Sequence, residues 1–429
     1  MEKHTVNLTV QHGLCCGCGI CIATCPVNCI SWEKQSGLYS PQICETQCLH
    51  CGQCAAVCPG LGHIFESRQS ALETVTGNVL ECYTAWAKDA KLRHDSASGG
   101  VVSTLVRELL VSEAYDGAFC VDSYDYREQL KTRLYTAKEI TNEESFSKVP
   151  KSRYLPVSHE NAISYMMAHR DKKLILIGSS CAIRGMIAFV DKRHLNREQY
   201  LFIGLFCDRA FNYNIRRYFE DVYAEGRTLA AIHFKNKDGG GWPGDMKFFP
   251  EEGMPFFVSC SERAKAKDYF MPERCLYCVD KLNASADISL GDNYTGLNSS
   301  ELGSNSVIVR TDVGARAWCV VQDKLEVCQA DIADIQKAQS LDWRLNNLYF
   351  GDLKTAGTTI DLNHGVPREK SPASYRQAWN SNLKKLETGA VYATDPEAVK
   401  KQMIRDAQKP NPLLRIARRT VGYIKRKIL

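Results

Sequence analysis

Two consecutive copies of one cysteine motif lie within the first sixty residues and constrain the fold more than any other feature. Each copy has the spacing C-x2-C-x2-C-x3-C-P. Three thiolates in such a loop bind three corners of a cubane, and the fourth cysteine binds the cluster of the other copy. The sequence therefore predicts two [4Fe–4S] clusters in an α+β ferredoxin-like domain. Their ligand sets would be Cys15, Cys18, Cys21 and Cys58 for the first cluster and Cys25, Cys48, Cys51 and Cys54 for the second.

Zinc is the alternative metal, because cysteine tetrads also bind Zn²⁺. Zinc modules usually combine two separated C-x2-C pairs, whereas each motif here places four cysteines within eleven residues. The spacing therefore favours iron–sulfur clusters. Cys16, Cys29 and Cys44 fall outside the motif, and we expect them to be packing residues.

The absence of long apolar segments and the modest net charge indicate where the protein is located and which partners it has. The first residues lack the apolar core of a signal peptide, and no run approaches the ~18 uncharged apolar residues of a membrane span. We therefore expect a cytoplasmic protein whose 20 cysteines are reduced. A net charge of +5 with interspersed signs does not indicate a nucleic-acid partner, and none is expected.

Cysteine density and hydrophobic patterning divide the 429 residues into three parts. Eleven of the 20 cysteines lie between Cys15 and Cys58, which places a domain boundary at residue 75. Helical patterns and short apolar runs then alternate, as in an α/β domain, over residues 76–320. The predicted helices cover 101–110, 162–168 and 182–190, the predicted strands 117–121, 173–177 and 201–206, and a hairpin 231–258. Residues 321–429 are expected to be helical additions.

Four cysteines outside the motifs could form a third metal site. Cys181 and Cys207 each follow a predicted strand, and Cys275 and Cys278 form a C-x2-C pair. Ligands tend to gather at the carboxyl ends of neighbouring parallel strands. On spacing alone, a third cluster and a set of buried structural cysteines are both compatible with the sequence.

Several ordered segments resemble the family of coenzyme F420 hydrogenase/dehydrogenase beta subunits. They are SASGGVVSTL from Ser96, KSRY from Lys151, GSSCAIRG from Gly178, FCD from Phe206, RCLYCVD from Arg274, ADISLGD from Ala286 and VIVRT from Val307. The resemblance covers roughly residues 80–315, with the family's N- and C-terminal parts meeting near residue 165. It implies an α/β domain that binds FAD beside a third [4Fe–4S] cluster held by Cys181, Cys207, Cys275 and Cys278.

The same resemblance points to the residues around the flavin. Ser96, Ser98, Gly99 and Gly100 precede a predicted helix whose N-terminus favours an anion such as a pyrophosphate, although an ordinary serine N-cap is the alternative. Lys151, Ser152, Arg153 and Tyr154 would supply a cation and a ring, or form a solvated basic turn. Asp292 would either orient the cofactor or have a purely structural role. No catalytic residue is identified.

These features predict an iron–sulfur flavoprotein oxidoreductase. Electrons would pass between a ferredoxin-type carrier and a flavin that transfers hydride to or from a deazaflavin (coenzyme F420) or another small-molecule substrate. The alternative is a non-catalytic electron-transfer subunit that serves a separate reductase or hydrogenase. Either function implies a redox partner protein, a ferredoxin or a catalytic subunit.

The C-terminal tail, Leu413 to Leu429, carries six basic residues and no acidic one, with an apolar stripe at helical spacing. Such a helix would lie on the anionic inner face of a membrane. Docking on this protein or on a partner is the alternative.

Overall fold

The N-terminal module consists of short helices and one hairpin. The computed structural model describes residues 5–347, 352–355, 358–367 and 373–408. The elements of the module are α1 (Asn7–Gln11), α2 (Ile20–Thr24), β1 (Ile30–Gln35), β2 (Leu38–Ile43) and α3 (Gln53–Ala56). β1 and β2 pair antiparallel, with Ile30 opposite Ile43. Gly19 and Gly52 begin α2 and α3 in the left-handed conformation, at φ of 72° and 73°, which favours glycine over any other residue.

The central region alternates strands and helices. Its elements are β3 (His63–Ile64), α4 (Ala71–Thr76), β4 (Glu81–Ala87), α5 (Ala90–Asp95), α6 (Val101–Val111), β5 (Gly117–Cys120), β6 (Leu130–Lys131), β7 (Arg133–Tyr135), α7 (Ala137–Ile140), α8 (Glu143–Ser147), β8 (Val157–Ser158), α9 (Glu160–Ala168), β9 (Leu174–Gly178), α10 (Ser180–Lys192), β10 (Tyr200–Leu205), α11 (Asn214–Tyr223), β11 (Leu229–Asn236), β12 (Asp245–Pro250), β13 (Phe256–Val258), α12 (Cys260–Lys267), β14 (Ile288–Asp292), β15 (Asn305–Val309) and α13 (Asp312–Val321). The expected helices and strands are confirmed, and the predicted hairpin continues into a third strand, β13.

The remaining described elements are β16 (Leu325–Gln329), α14 (Ile332–Ala338), α15 (Leu341–Asn347), β17 (Asp352–Thr355), β18 (Thr358–Asp361), β19 (Asn363–His364), α16 (Ala373–Ala390) and α17 (Pro396–Gln408). This part is therefore not only helical, and β16 pairs with β4 at the edge of the large sheet. β16 is only five residues long, too short for its alternating Leu325 and Val327 to stand out from the helical patterns around it. The tail from Leu413 to Leu429 lies outside the described residues.

One eight-stranded sheet, in the order β16-β4-β15-β14-β10-β9-β5-β7, forms the centre of the molecule. β14, β10, β9 and β5 are parallel neighbours. β15 runs antiparallel to both β14 and β4, so β4 points in the same direction as the parallel strands. The carboxyl ends of five strands therefore meet at one border of the sheet, which we call the carboxyl edge. These strands are β4, β5, β9, β10 and β14.

Both faces of this sheet are covered by helices. Along β10, Leu201 and Ile203 belong to one apolar cluster, which includes residues of α6 and α13. Tyr200 and Phe202 belong to another cluster, on the side of α9 and α10. Because successive side chains of a strand point to opposite faces, this continuous apolar run is buried on both sides, as in α/β domains. Burial of each large side chain contributes about 1.5–3 kcal/mol. The sheet therefore gives the carboxyl edge a rigid base.

Candidate iron–sulfur and flavin site

The structure brings the eight motif cysteines together in two separate groups. One cavity is lined by Cys15, Cys18, Cys21 and Cys58, and a second by Cys25, Cys48, Cys51 and Cys54. Each group combines three cysteines of one motif with the fourth cysteine of the other. These are the two ligand sets that the spacing predicts.

Backbone amides approach several of these sulfur atoms. Gly17 donates to Cys15 Sγ, Cys29 to Cys25 Sγ and His50 to Cys48 Sγ, each at 3.4 Å. Such N–H···S hydrogen bonds stabilise negative charge on the sulfur and thereby tune the potential of a bound cluster. The left-handed conformation of Gly17, at φ 67°, allows its amide to turn toward Cys15.

A third group of cysteines converges at the carboxyl edge. Cys181 lies in the first turn of α10, directly after β9, and Cys207 follows β10. Burial raises the pKa of the Cys207 thiol well above its ordinary value, and the neighbouring Cys275, Cys181 and Cys278 raise it further. The pKa of Cys275 likewise rises to about 11, first through burial and then through Cys278 and Cys181. Two strand ends and one C-x2-C loop thus place four thiols close enough to interact electrostatically.

The three groups are neighbours in space. The Cys16 thiol lies beside Cys181 and, ahead of the hydroxyl of Ser179, lowers the pKa of Cys181 to about 6. Cys181 also interacts electrostatically with Cys15 and Cys18 of the first group. Cys21 of the first group in turn interacts with Cys54 of the second. The order in space is therefore second group, first group, third group.

A buried arginine supports the fit of clusters to these cysteines. Arg274 is 3% exposed, and its Nε and Nη1 have no hydrogen-bond partner among the described residues. The guanidinium interacts electrostatically with Cys58 of the first group and with Cys181 and Cys278 of the third. A buried N–H without a partner costs about 1–3 kcal/mol. The negatively charged sulfides of a cluster would accept these hydrogen bonds, so the donor set and its surroundings fit [4Fe–4S] clusters.

The Ser96–Gly100 segment also lies at the carboxyl edge, after β4 and α5. The amide of Ala87 donates to Gly99 O at 2.7 Å, and a Cβ on Gly99 would lie 2.8 Å from Ala85 O. Ser98 Oγ donates to Ser304 O at 2.7 Å, and Ser96 Oγ lies 3.4 Å from Ser103 Oγ. The N-cap of α6 is Gly100, at φ 83°, without a side-chain cap. The alternative of an ordinary serine N-cap is therefore not what the structure shows.

Asp292 ends β14 and lies at the centre of a polar cluster. Its carboxylate pairs with the buried Lys235 and accepts from Trp242 Nε1 and Tyr294 Oη, each at 3.2 Å. Lys237 bonds to the carbonyl oxygens of Arg93, Ser98 and Leu302 at 2.6–2.7 Å. Burial, together with the charges of Lys151 and Arg93, lowers the pKa of Lys237 to about 7. Of this pair of buried lysines, Lys237 therefore joins the hairpin of β11 and β12 to the Ser96–Gly100 segment, and Lys235 joins the hairpin to the end of β14.

The sequence prediction missed both lysines of this pair. His233, Lys235 and Lys237 occupy alternate positions along and just beyond β11, a spacing that would place three basic side chains on one face of a regular strand. That alternation was the available signal. It was obscured because lysine is almost never fully buried unless it is paired.

The structure separates the four residues of the predicted basic segment. Lys151 has φ 94° and interacts electrostatically with Asp95 and Asp238, beside the Ser96–Gly100 segment. The guanidinium of Arg153 instead bonds to backbone carbonyls of its own loop, including Val149 O at 2.7 Å, and to Ser123 O. Tyr154 packs on Phe234 at a ring-centroid distance of 5.3 Å. Ser152 is half-buried between them. Of these four residues, Lys151 therefore has the side chain that interacts with Asp95, directly before the Ser96–Gly100 segment.

None of the described helices has the length and apolar character that a bilayer crossing requires.

Comparison with known proteins identifies three matching regions. Residues 14–60 match the 4Fe-4S dicluster domain. Residues 82–164 match the N-terminal part, and residues 171–334 the C-terminal part, of the coenzyme F420 hydrogenase/dehydrogenase beta subunit. The iron–sulfur class predicted for the N-terminal module is thereby confirmed, as is the family resemblance.

Two curated relatives and one solved structure are similar to the chain. One subunit of the F(420)H(2) dehydrogenase of Methanosarcina mazei is 22% identical over 337 residues, which are 75% of this chain and 86% of that protein. Coenzyme F420-dependent sulfite reductase of Methanocaldococcus jannaschii is 23% identical over 361 residues, or 80% of this chain but only 51% of that protein.

The solved structure is a xenon derivative of the F420-reducing [NiFe] hydrogenase complex from Methanosarcina barkeri. One of its chains is 20% identical with a TM-score of 0.47, and the match covers 63% of this chain and 92% of that one. The family models rather than this likeness establish the relationship. The chain belongs to the family of coenzyme F420 hydrogenase/dehydrogenase beta subunits and carries a 4Fe-4S dicluster domain ahead of the family's two conserved parts.

Proposed function

We propose that this protein is an iron–sulfur flavoprotein oxidoreductase that moves electrons between a protein carrier and a small-molecule hydride donor or acceptor. The observation that carries the proposal is the docking of the first cysteine group at the carboxyl edge, where His159 N donates to Cys18 O at 2.9 Å and Cys181 interacts electrostatically with Cys15 and Cys18. It brings the first and third cysteine groups together, and electron transfer between clusters falls steeply with distance. The chain therefore contains a continuous route from the second group to the edge of the sheet.

The substrate side of the proposal rests on the residues at the same edge. In this reading, the N-terminus of α6, with Gly99, Gly100 and Lys151, binds the pyrophosphate of FAD. Asp292 and its Lys235 partner lie at the end of β14, which is adjacent to the strand that leads to Cys207. A bound FAD would supply the two-electron hydride chemistry that clusters alone lack. The names of both curated relatives contain F420, which supports this deazaflavin as the substrate.

The proposed docking of a protein electron carrier rests on the surroundings of the second cysteine group, which lies farthest from the carboxyl edge. Leu49 is 63% exposed and lies between Cys48 and Cys51, and Val27, close to Cys25, is 39% exposed. Apolar side chains at the exposed end of the route would pack against a ferredoxin or a catalytic subunit. The first relative is itself named as a subunit, which supports a protein partner. The alternative function, a non-catalytic electron-transfer subunit, uses this same surface.

Reduced coenzyme F420 distinguishes the two functions. The full chain, purified without air and loaded with FAD, is mixed with reduced F420 while the flavin and cluster absorbance are followed. The enzyme reading predicts that both absorbances decrease. If reduced F420 leaves both unchanged while dithionite reduces them, the chain is an electron-transfer subunit whose substrate site lies in a partner.

A further inference from the structure

Arg344 places a positive charge next to the third cysteine group, although it lies outside the residues that match the family. It lies on α15, beyond residue 334, where the match ends. Its side chain is only 5% exposed, and an arginine is almost never buried this deeply unless it is paired. Neither the motif spacing nor the resemblance assigns this residue a role.

The guanidinium joins the two loops that carry three of the four cysteines. Nε donates to Cys278 O at 3.0 Å, Nη1 donates to Asp208 Oδ1 at 2.9 Å and Nη2 donates to Asp208 O at 2.7 Å. Asp208 directly follows Cys207. Arg344 therefore holds the Cys207 loop against the Cys275–Cys278 loop through three hydrogen bonds.

Its surroundings leave a net positive charge beside the thiols. Asp208 is half-buried and also contacts Lys267 and Arg209, so one carboxylate faces three cations. Asp268 pairs with Arg209 and with Lys385. Arg344 itself interacts electrostatically with the thiols of Cys207, Cys275 and Cys278. A buried cation is screened weakly, so its field acts on any electron added at this point.

We propose that Arg344 is a positioning residue that holds the third cysteine group in its binding geometry and raises the reduction potential of the cluster bound there. Reduction adds one negative charge, and the fixed guanidinium stabilises the reduced state relative to the oxidised one. Electrons arriving through the ferredoxin module are thereby drawn toward the carboxyl edge. This inference rests on the proposed function, because it requires a cluster at the third group.

A redox titration of the full chain, followed by EPR, tests the charge. In Arg344→Gln the midpoint potential of the third cluster should fall, with at least a tenfold change in its reduction equilibrium, or 59 mV for one electron. The signals of the two ferredoxin-type clusters should not move. Arg344→Lys keeps the charge and should stay near the wild type. Arg316→Gln is the matched control, because Arg316 pairs with Glu198 on the surface, where both side chains are more than 60% exposed.

The outcomes separate the inference from the function on which it rests. Iron analysis of the wild type comes first, and a value near eight atoms per chain would refute the third cluster before any variant is made. If the wild type holds about twelve, an unshifted potential in Arg344→Gln overturns the charge role. Loss of one cluster from Arg344→Gln but not from Arg344→Lys supports the inference, because the ammonium still bridges and charges the site. Loss from both variants supports the positioning role, because Lys keeps the charge but cannot make all three bonds of the guanidinium, and full retention of the cluster in both variants overturns that role.

Discussion

The thiol of Cys16 lies beside Cys181, across the boundary between the ferredoxin module and the large sheet, and lowers the pKa of Cys181. Hydrogen bonds hold this boundary in place. His159 N donates to Cys18 O at 2.9 Å, and Trp32 Nε1 donates to Glu160 Oε2 at 3.0 Å. The module therefore docks with its first cysteine group, rather than its second, against the carboxyl edge.

Replacing Cys16 with alanine should leave the iron content unchanged and slow electron transfer between the first and third clusters. Cys16 lies outside both ligand sets, so its loss removes a contact but no ligand. The rate is measured by rapid mixing with reduced ferredoxin while the flavin absorbance is followed. Cys44→Ala is the control, because Cys44 is exposed and bonds only locally, 3.3 Å from Thr46 Oγ1. A loss of about four iron atoms from Cys16→Ala would instead make Cys16 a ligand.

Replacing Gly99 with alanine should lower the amount of bound FAD while the iron content stays constant. The new methyl group would lie 2.8 Å from Ala85 O and 3.0 Å from Asn305 N, so the Ser96–Gly100 segment must move away from the sheet. Overpacking of this kind costs typically about 1–3 kcal/mol. Flavin is quantified from the absorbance released on denaturation.

Gly240→Ala is the matched control for this experiment. Gly240 lies in the turn between β11 and β12, and an added Cβ there meets nothing within 4 Å. It should retain the wild-type flavin. Equal flavin in Gly99→Ala and the wild type would count against the pyrophosphate site at the start of α6.

Replacing Arg310 with methionine should destabilise the chain by on the order of 3 kcal/mol. This arginine is 1% exposed and donates to Ser289 Oγ at 2.8 Å and to the carbonyl oxygens of Thr76, Asn78 and Leu282 at 2.7–3.0 Å. Removing it leaves buried acceptors unpaired. The thermal midpoint of the iron-loaded protein should fall, whereas Arg316→Met, on the surface, should shift stability by less than about 0.5 kcal/mol. A midpoint equal to that of the wild type would show that solvent replaces these bonds.

The sequence was sufficient to predict the local helices and strands and the grouping of the eight motif cysteines. Fixed cysteine spacing determines which thiols meet, and the apolar runs that became β9 and β10 are long enough to stand out. Pairing of distant segments could not be predicted in the same way. β16 is recognisable as a strand only because β4 is present beside it, with Leu325 opposite Ala87.

The burial of charged side chains also could not be predicted from the sequence. Lys235, Lys237 and Arg344 resemble surface residues when they are read singly, because burial of a cation depends on partners far along the chain. Lys237 bonds to Arg93 O, and Arg344 bonds to Asp208, each more than 100 positions away. The S-G-G segment was located correctly before a helix, but the hydrogen bond from the next residue, Val101 N, to Asn305 Oδ1 follows only from the sheet order.

Iron content of Cys181→Ala tests the central claim, a third cluster at the carboxyl edge, most directly. The full chain and the variant are purified without air, and iron and acid-labile sulfide are measured in both. Cys120→Ala serves as the control, because Cys120 is buried at the end of β5 without belonging to any cysteine group. We expect about twelve iron atoms per chain in the wild type and the control, and about eight in Cys181→Ala. Equal iron in all three proteins would contradict the account, because Cys181 would then be a packing residue.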